Sequence, residues 1–278
     1  MTIHATAVVH PKAVLADSVD IGPYAVIGEN VTIEAGTTVG SHVVIEGRTD
    51  IGEDCKISPF VSIGTSPQHF RYQGEDTLVT IGRNNTIREF VTVNRATEFG
   101  GGVTKIGDNN LLMAYVHIAH DCLLGNHILM ANAATLAGHI SIGDHAVIGG
   151  LVGIHQYVRI GRFAMVGGCS ALGQDVPPFT RAAGGYRAHL IGLNSVGLSR
   201  NGFSSETIQS LKSAYRTLFR SDLKQTESIQ MLRDAAQNTA EVSELVQFIE
   251  GTKRGICRSG LPKVTNGDER VEELTARL

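Results

Sequence analysis

An aliphatic residue returns at every sixth position through most of this chain, and that period restricts the fold more than any other feature. It occupies Ile3, Val9, Leu15, Ile21, Ile27, Ile33, Val39, Ile45, Ile51, Ile57 and Ile63 without a miss. It resumes at Ile81, Ile87 and Val93. From Ile106 it continues through Leu112, Ile118, Leu124, Met130, Leu136, Ile142, Ile148, Ile154, Ile160, Val166 and Leu172. A period of six belongs neither to a helix nor to a simple alternating strand. It fits a parallel β-helix, in which each hexad supplies a short strand and a corner and three hexads close a triangular coil. The aliphatic then points inward and stacks on its counterpart one coil away, with coils about 4.8 Å apart. Many of these residues precede glycine, as at Ile21-Gly22, Ile51-Gly52 and Ile142-Gly143. Glycine is expected at the corners, where positive φ is needed. A narrow prism leaves no room for large rings, which suits a chain with 5% aromatics, no tryptophan and 32 glycines.

Two stretches break the period, 65–80 and 94–105. A coil can eject a loop without losing its stack, and such loops on a rigid scaffold commonly carry binding residues. The repeat ends near Pro177-Pro178, and from Ser204 the pattern turns helical. Ser204 or Ser205 is expected to cap a helix reaching about Arg220. Further helices are expected at 223–237 and 240–250. The division predicted is 1–185 as β-helix, 186–258 as an α-helical C-terminal domain and 259–278 as a polar, loosely ordered tail, with one more short helix at 269–278.

Bulk properties exclude several classes. The formal charge of −3 gives no global nucleic-acid signal. No run of about 18 apolar residues suggests a membrane span, and the N-terminus lacks the pattern of a secretory signal. Cys55, Cys122, Cys169 and Cys257 are scattered without a CxxC pair, so neither a disulfide framework nor a zinc ribbon is indicated. A cytoplasmic location is the expectation. Charge is nonetheless uneven: residues 1–185 carry −5, whereas 186–258 carry +3. Lys212, Arg216 and Arg220 are spaced to line one helix face. Such a face is either simply solvated or a dock for an acidic partner.

The repeat also places polar residues. His120, Gly138 and Gln156 fall in one column, one coil apart, with His139 and His155 beside it and His117 just before His120. The strip spans about 10 Å. Three readings are open for it: an ordinary surface, a metal site built from His117 and His120 with a ligand from another subunit, or a general-base histidine with polar neighbours that hold a substrate. Asp121 follows His120 directly, and at a coil corner the two can meet.

These residues lie within longer motifs: NLLM at 110–113, VHIAHD at 116–121, ANAATLAGH at 131–139, VGGCS at 166–170, QDVPP at 174–178 and NGF at 201–203. Together and in this order they resemble the UDP-N-acetylglucosamine O-acyltransferases, which act first in lipid A synthesis, over residues 1 to about 258. The resemblance implies a left-handed parallel β-helix followed by a small helical domain. It implies a homotrimer with active sites between subunits, with no metal and no cofactor. The reaction implied is transfer of a 3-hydroxyacyl chain from acyl carrier protein to the glucosamine 3-hydroxyl of UDP-N-acetylglucosamine. His120 corresponds to the general base, Asp121 to the residue that orients it, and Gly138 to the oxyanion donor. His117, His139, His155 and Gln156 correspond to cleft residues. Gln68, His69, Arg71 and Tyr72 correspond to a loop that meets the sugar nucleotide; His69 replaces a common aspartate and Arg71 a common lysine. Asn194 and Arg200 correspond to nucleotide-side residues, with Val196 and Asn201 departing from the Glu and Arg of some members. Gly168 corresponds to a ruler of acyl length, and glycine there implies a longer chain. Acyl carrier protein is acidic, so Lys212, Arg216 and Arg220 become its docking residues.

Rival readings are a γ-carbonic-anhydrase-like metal enzyme, an acyltransferase that N-acylates a 3-amino sugar or acts later in the pathway, and a purely structural β-helix. The first uses an HxxxxH pair, and this strip has HxxH.

Overall fold

The computed structural model describes residues 2–185, 187–235 and 240–257. The hexads form short parallel strands in three sheets of 11, 9 and 8 strands, which make the three walls of a β-helix. Registers advance by one coil of eighteen residues: Ile3 pairs with Ile21, and His117 with Thr135. At the ejected loops the stack continues across the gap, with Ser62 on Thr92 and Thr92 on His117.

The period-six aliphatics fill the prism, from Ile21 at 2% exposure to Leu172 at 2%, while Ile3 at the open first coil is 40% exposed. A second inward column stands two positions earlier in each hexad: Val19, Ala25, Val31, Val43, Val61, Val91, Val116, Ala134 and Val152 are all buried. Where that column is polar, its groups bond the coil backbone. Asn110 Oδ1 accepts from Ile128 N at 2.7 Å, and its Nδ2 donates to Gly125 O.

The corners differ from expectation. Positive φ falls on the third residue after most of the aliphatics, and that residue is rarely glycine: Tyr24, His42, Phe60, Asn84, Asp121 and His139 all lie between +56° and +63°. Each such residue costs about 1 kcal/mol or more. In return its N–H reaches the coil below, as from Phe60 to Ser41 O at 3.1 Å. Glycine follows the aliphatic for another reason. A Cβ on Gly40, Gly52 or Gly107 would stand within 2.8 Å of the next coil's backbone. Close approach of coils demands glycine there.

The strand pairing crosses residue 185. His189–Leu193 returns antiparallel on Thr180–Ala183, so the expected domain boundary falls inside a hairpin. Helix α1 (Ser195–Arg200) follows, then α2 (Ser205–Phe219), α3 (Gln225–Ala235) and α4 (Ala240–Glu250). Ser204 caps α2, accepting from Thr207 N at 3.1 Å. The last three helices bury Leu211, Ala214, Leu232, Leu245 and Ile249. Two arginines fasten α4 to the prism: Arg162 Nε donates to Glu244 at 2.6 Å, and Arg159 Nη2 to Phe248 O at 2.8 Å. The expected helix at 269–278 and the tail at 259–278 lie outside the described residues.

Candidate active site

The cleft lies on the nine-stranded wall, where the hexads present Thr135, Gly153 and Ala171 one above another. It encloses about 1020 Å³, and Gln68, His69, His117, His120, Gly138, His155 and Gln156 all line it. Small residues on the wall open the space; polar residues at the adjoining corner furnish its chemistry.

His120 and Asp121 meet. His120 Nδ1 lies 2.7 Å from Asp121 Oδ2, and both side chains are buried. With Nδ1 on the carboxylate, Nε2 is the ring nitrogen left for a substrate. Burial pushes the Asp121 carboxyl up, but hydrogen bonds from His120 and Thr97 outweigh it and hold the group below its ordinary value. Asp121 therefore stays ionised and acts as an acceptor. His139 stands above Asp121, its Nδ1 3.7 Å from the same oxygen. It stacks on Tyr157 at 4.4 Å and meets His120 edge-on at 5.0 Å. Burial lowers the pKa of His139, and burial with the charge of His120 lowers that of His117.

Gly138 is fixed by the imidazole. A Cβ there would stand 2.4 Å from His120 Cε1 and 2.7 Å from Nε2. Among the described residues its N–H makes no hydrogen bond, so a donor lies beside the base. His69 comes from the first ejected loop and packs edge-on against His120 at 5.2 Å. His117 Nδ1 is held by Thr92 Oγ1 at 2.7 Å. His155 Nδ1 lies 3.3 Å from the Gln156 carbonyl oxygen.

The cation question has a geometric answer in the donors. One atom each from His120, Asp121 and His139 lies within 4.8 Å of the others. His120 Nδ1 and Asp121 Oδ2 are already hydrogen-bond partners, so a cation held there would compete with the dyad. Cys122 is a bystander, its thiol pushed up to about 12, chiefly by burial.

Other expected residues stand away from this cleft in the protomer. Arg71 lies over Phe99 at 4.1 Å, and Tyr72 Oη accepts from Arg95 Nη2 at 2.7 Å. Asn194 is buried, capping α1 through Gly197 N and donating to Phe163 O at 2.9 Å. Arg200 ends α1, and Asn201 Nδ2 closes that end on Gly197 O. Val196 is exposed on α1, and Gly168 lies against Gly150. Lys212, Arg216 and Arg220 gather beside Tyr215 around a separate hollow of about 270 Å³. Sequence reasoning missed Thr92, Thr97, Gln174 and Arg187. Gln174 and Arg187 line the upper end of the cleft, and Gln174 lies one coil above Gln156 in the very column already drawn.

The comparisons decide the family. The model described as UDP N-acetylglucosamine O-acyltransferase, domain 2, matches residues 175–257. The acyl-(acyl-carrier-protein)–UDP-N-acetylglucosamine O-acyltransferase of Thermodesulfovibrio yellowstonii is 57% identical over 256 residues, covering 92% of this chain and 99% of the relative. The chain belongs to the UDP-N-acetylglucosamine O-acyltransferase family. Solved members share its shape. The UDP-N-acetylglucosamine acyltransferase of Campylobacter jejuni matches at TM-score 0.88 and 42% identity, over 93% of this chain and 100% of that one. That of Francisella novicida matches at TM-score 0.90 and 38% identity, over 96% and 99%. The fold is thus the left-handed parallel β-helix of this family, with its helical C-terminal part. Among the described residues, no helix is long and apolar enough to cross a membrane.

Proposed function

We propose that this protein transfers a 3-hydroxyacyl chain from acyl carrier protein to the glucosamine 3-hydroxyl of UDP-N-acetylglucosamine, the opening reaction of lipid A synthesis. The observation that carries the reading is the His120–Asp121 pair at 2.7 Å, with the His120 ring packed against Gly138 at the cleft. Asp121 accepts from Nδ1–H and leaves the lone pair of Nε2 for the substrate. As the sugar oxygen attacks the thioester carbonyl carbon, Nε2 takes the hydroxyl proton. The carbonyl oxygen becomes an oxyanion, and the free N–H of Gly138 donates to it. Collapse breaks the C–S bond and leaves the ester. The departing pantetheine thiolate takes the proton back from His120. Acyl transfer needs no further reagent.

The cleft residues would hold the sugar nucleotide and the acyl arm, with Gln68 and His69 on the sugar side. Asn194, Arg200 and Gly168 do not line their own protomer's cleft, so a homotrimer in which a neighbour lends them suits the family correspondence. Lys212, Arg216 and Arg220 would dock the acidic carrier, and the enzyme would work in the cytoplasm. The assay is acyl transfer from acyl carrier protein to UDP-N-acetylglucosamine, with the 3-amino analogue as competitor. His120→Ala is expected to lose about 10²–10⁴-fold in rate; retention of activity would refute the assignment. Mixing His120→Ala with Arg200→Ala protomers should restore part of the activity if sites are shared, and none if they are not. Gly168→Met should shift preference from longer to shorter hydroxyacyl donors; a wild type already selective for a ten-carbon chain would contradict the ruler.

A further inference from the structure

Asp121 occupies the left-handed corner position, at φ +62°. At most such corners that position's N–H donates to a carbonyl of the coil below, as His139 does to His120 O, though at Tyr24 the acceptor is the Thr6 hydroxyl. Beneath Asp121 the coil opens into the second ejected loop, and residues of that loop and of the strand after it take over. Asp121 N donates to Thr104 Oγ1 at 2.8 Å. Thr97 Oγ1 donates to Asp121 Oδ2 at 2.7 Å, and Thr97 N donates to Oδ1 at 3.0 Å. Thr97 is 1% exposed. It also stands at the N-cap of the 3₁₀ turn Glu98–Gly100, yet its side chain caps nothing there. A threonine at an N-cap ordinarily accepts from the first turn; this one gives its hydroxyl to the carboxylate instead. Gly100 closes over the same group, for a Cβ there would stand 2.1 Å from Asp121 Cγ.

We propose that Thr97 is a positioning residue for the acyl transfer: it fixes the Asp121 carboxylate so that the proton stays on His120 Nδ1 and the lone pair of Nε2 faces the sugar hydroxyl. The proposal rests on His120 being the general base. It extends to the loop that meets the sugar, because Thr97's neighbours are stitched to it. Thr77 Oγ1 donates to Ala96 O at 2.6 Å, and Arg95 Nη2 donates to Tyr72 Oη at 2.7 Å. The backbone next to Thr97 is thus tied to the segment carrying Gln68 and His69. Base and sugar loop are held as one body.

The test compares full-length wild type, Thr97→Val and Thr97→Ser for kcat, KM for UDP-N-acetylglucosamine and the pH dependence of kcat/KM. Valine keeps the shape and removes the donor. The expected result is a fall in kcat of roughly 10- to 100-fold, the scale of a misplacement of about 1 Å, with KM unchanged. The pH profile of kcat/KM should move as well, because the Asp121 carboxylate loses one of the donors that hold it below its ordinary value. Serine should restore both. A Thr97→Val enzyme with wild-type kcat and pH profile overturns the proposal, as does a serine variant as slow as valine. If Thr97→Val does not fold, Thr97→Ala, which also removes the hydroxyl donor, carries the test, with the same fall in kcat expected and an unchanged kcat counting against. His120→Ala run alongside separates the two ideas: activity in that variant removes the general base itself, whereas an unaffected Thr97→Val removes only the positioning role.

Discussion

At the corner after the eleven-stranded wall, Tyr24, His42, Phe60, Phe90 and Tyr115 stack ring upon ring at 4.8–5.2 Å. At the corner after the nine-stranded wall, the same hexad position holds Asp121, His139 and Tyr157. Backbone conformation does not separate them: φ is +62° at Phe90 and +62° at Asp121. The neighbours do. The ring ladder runs along a regular edge, its members half exposed, and each ring mainly meets the next ring. The second corner is reached by both ejected loops, so Asp121 meets Thr97 and His120 meets His69. Identical coils thus make a surface at one corner and a dyad at the other, and the loops supply the difference.

The largest break in this contrast should come from Gly138→Ala. The added methyl collides with the imidazole of His120. A side chain can swing away, so the melting temperature should hardly change. Yet the group that must swing is the base, and kcat should fall by about 10²-fold or more. Full activity with an unshifted melting temperature would mean that His120 does not work from this position. Asp121→Asn comes next. An amide can donate to Nδ1 and so favour the wrong tautomer; in a serine-protease triad the equivalent change costs about 10⁴-fold. Here a loss of about 10²-fold or more is expected, visible in single-turnover acyl transfer, and a loss of less than about tenfold would sink the orienting role.

The legibility of these features in the sequence follows their physics. The prism was readable because its core needs one aliphatic at a fixed period, and Ile118 or Ile142 can be placed by counting. The column from His120 to Gln156 was readable for the same reason. The left-handed residue was not, because the position is filled by residues as unlike as Tyr115, Asn109 and Leu151, so no residue type marks it. The role of glycine after the aliphatic was misread as conformational, when it is a matter of space between coils. Thr97 was beyond reach, since an ejected loop has no register from which to count. Asn194 was named for a nucleotide, and its bonds within the protomer, capping α1 and reaching Phe163 O, were not readable, because a cap and a ligand contact use the same side-chain chemistry.

A smaller effect sharpens the contrast from the ladder side. Phe60→Ala removes two stacking partners at a position where Ala133 shows that alanine is accepted at φ +58°. The loss in stability should be about 1 kcal/mol, read from denaturant unfolding. The kcat for acyl transfer should stay at the wild-type value, because the ring meets no cleft residue. A fall in kcat would show that the two corners are coupled.

The smallest effect concerns pH and separates the corners by what they titrate. His117 and His139 lie at the site, while His145 stacks between His127 and Phe163 at a third corner. Burial lowers all three below the ordinary 6.5, joined at His145 by the charge of His127. Their neutral forms therefore favour the folded state. As the pH falls through 6.5 the unfolded chain takes up protons that the folded chain still refuses. Their contribution to stability is full above that value and is lost as the pH drops through the depressed folded values. Melting temperatures should decline from about pH 7 to about pH 5. His145→Gln should flatten part of that slope while leaving the pH dependence of kcat/KM alone, since its ring is remote from the dyad. If His145→Gln moved the activity profile as well, the corner ladders and the catalytic corner would form one electrostatic system, and the division of labour between regular coils and ejected loops would fail.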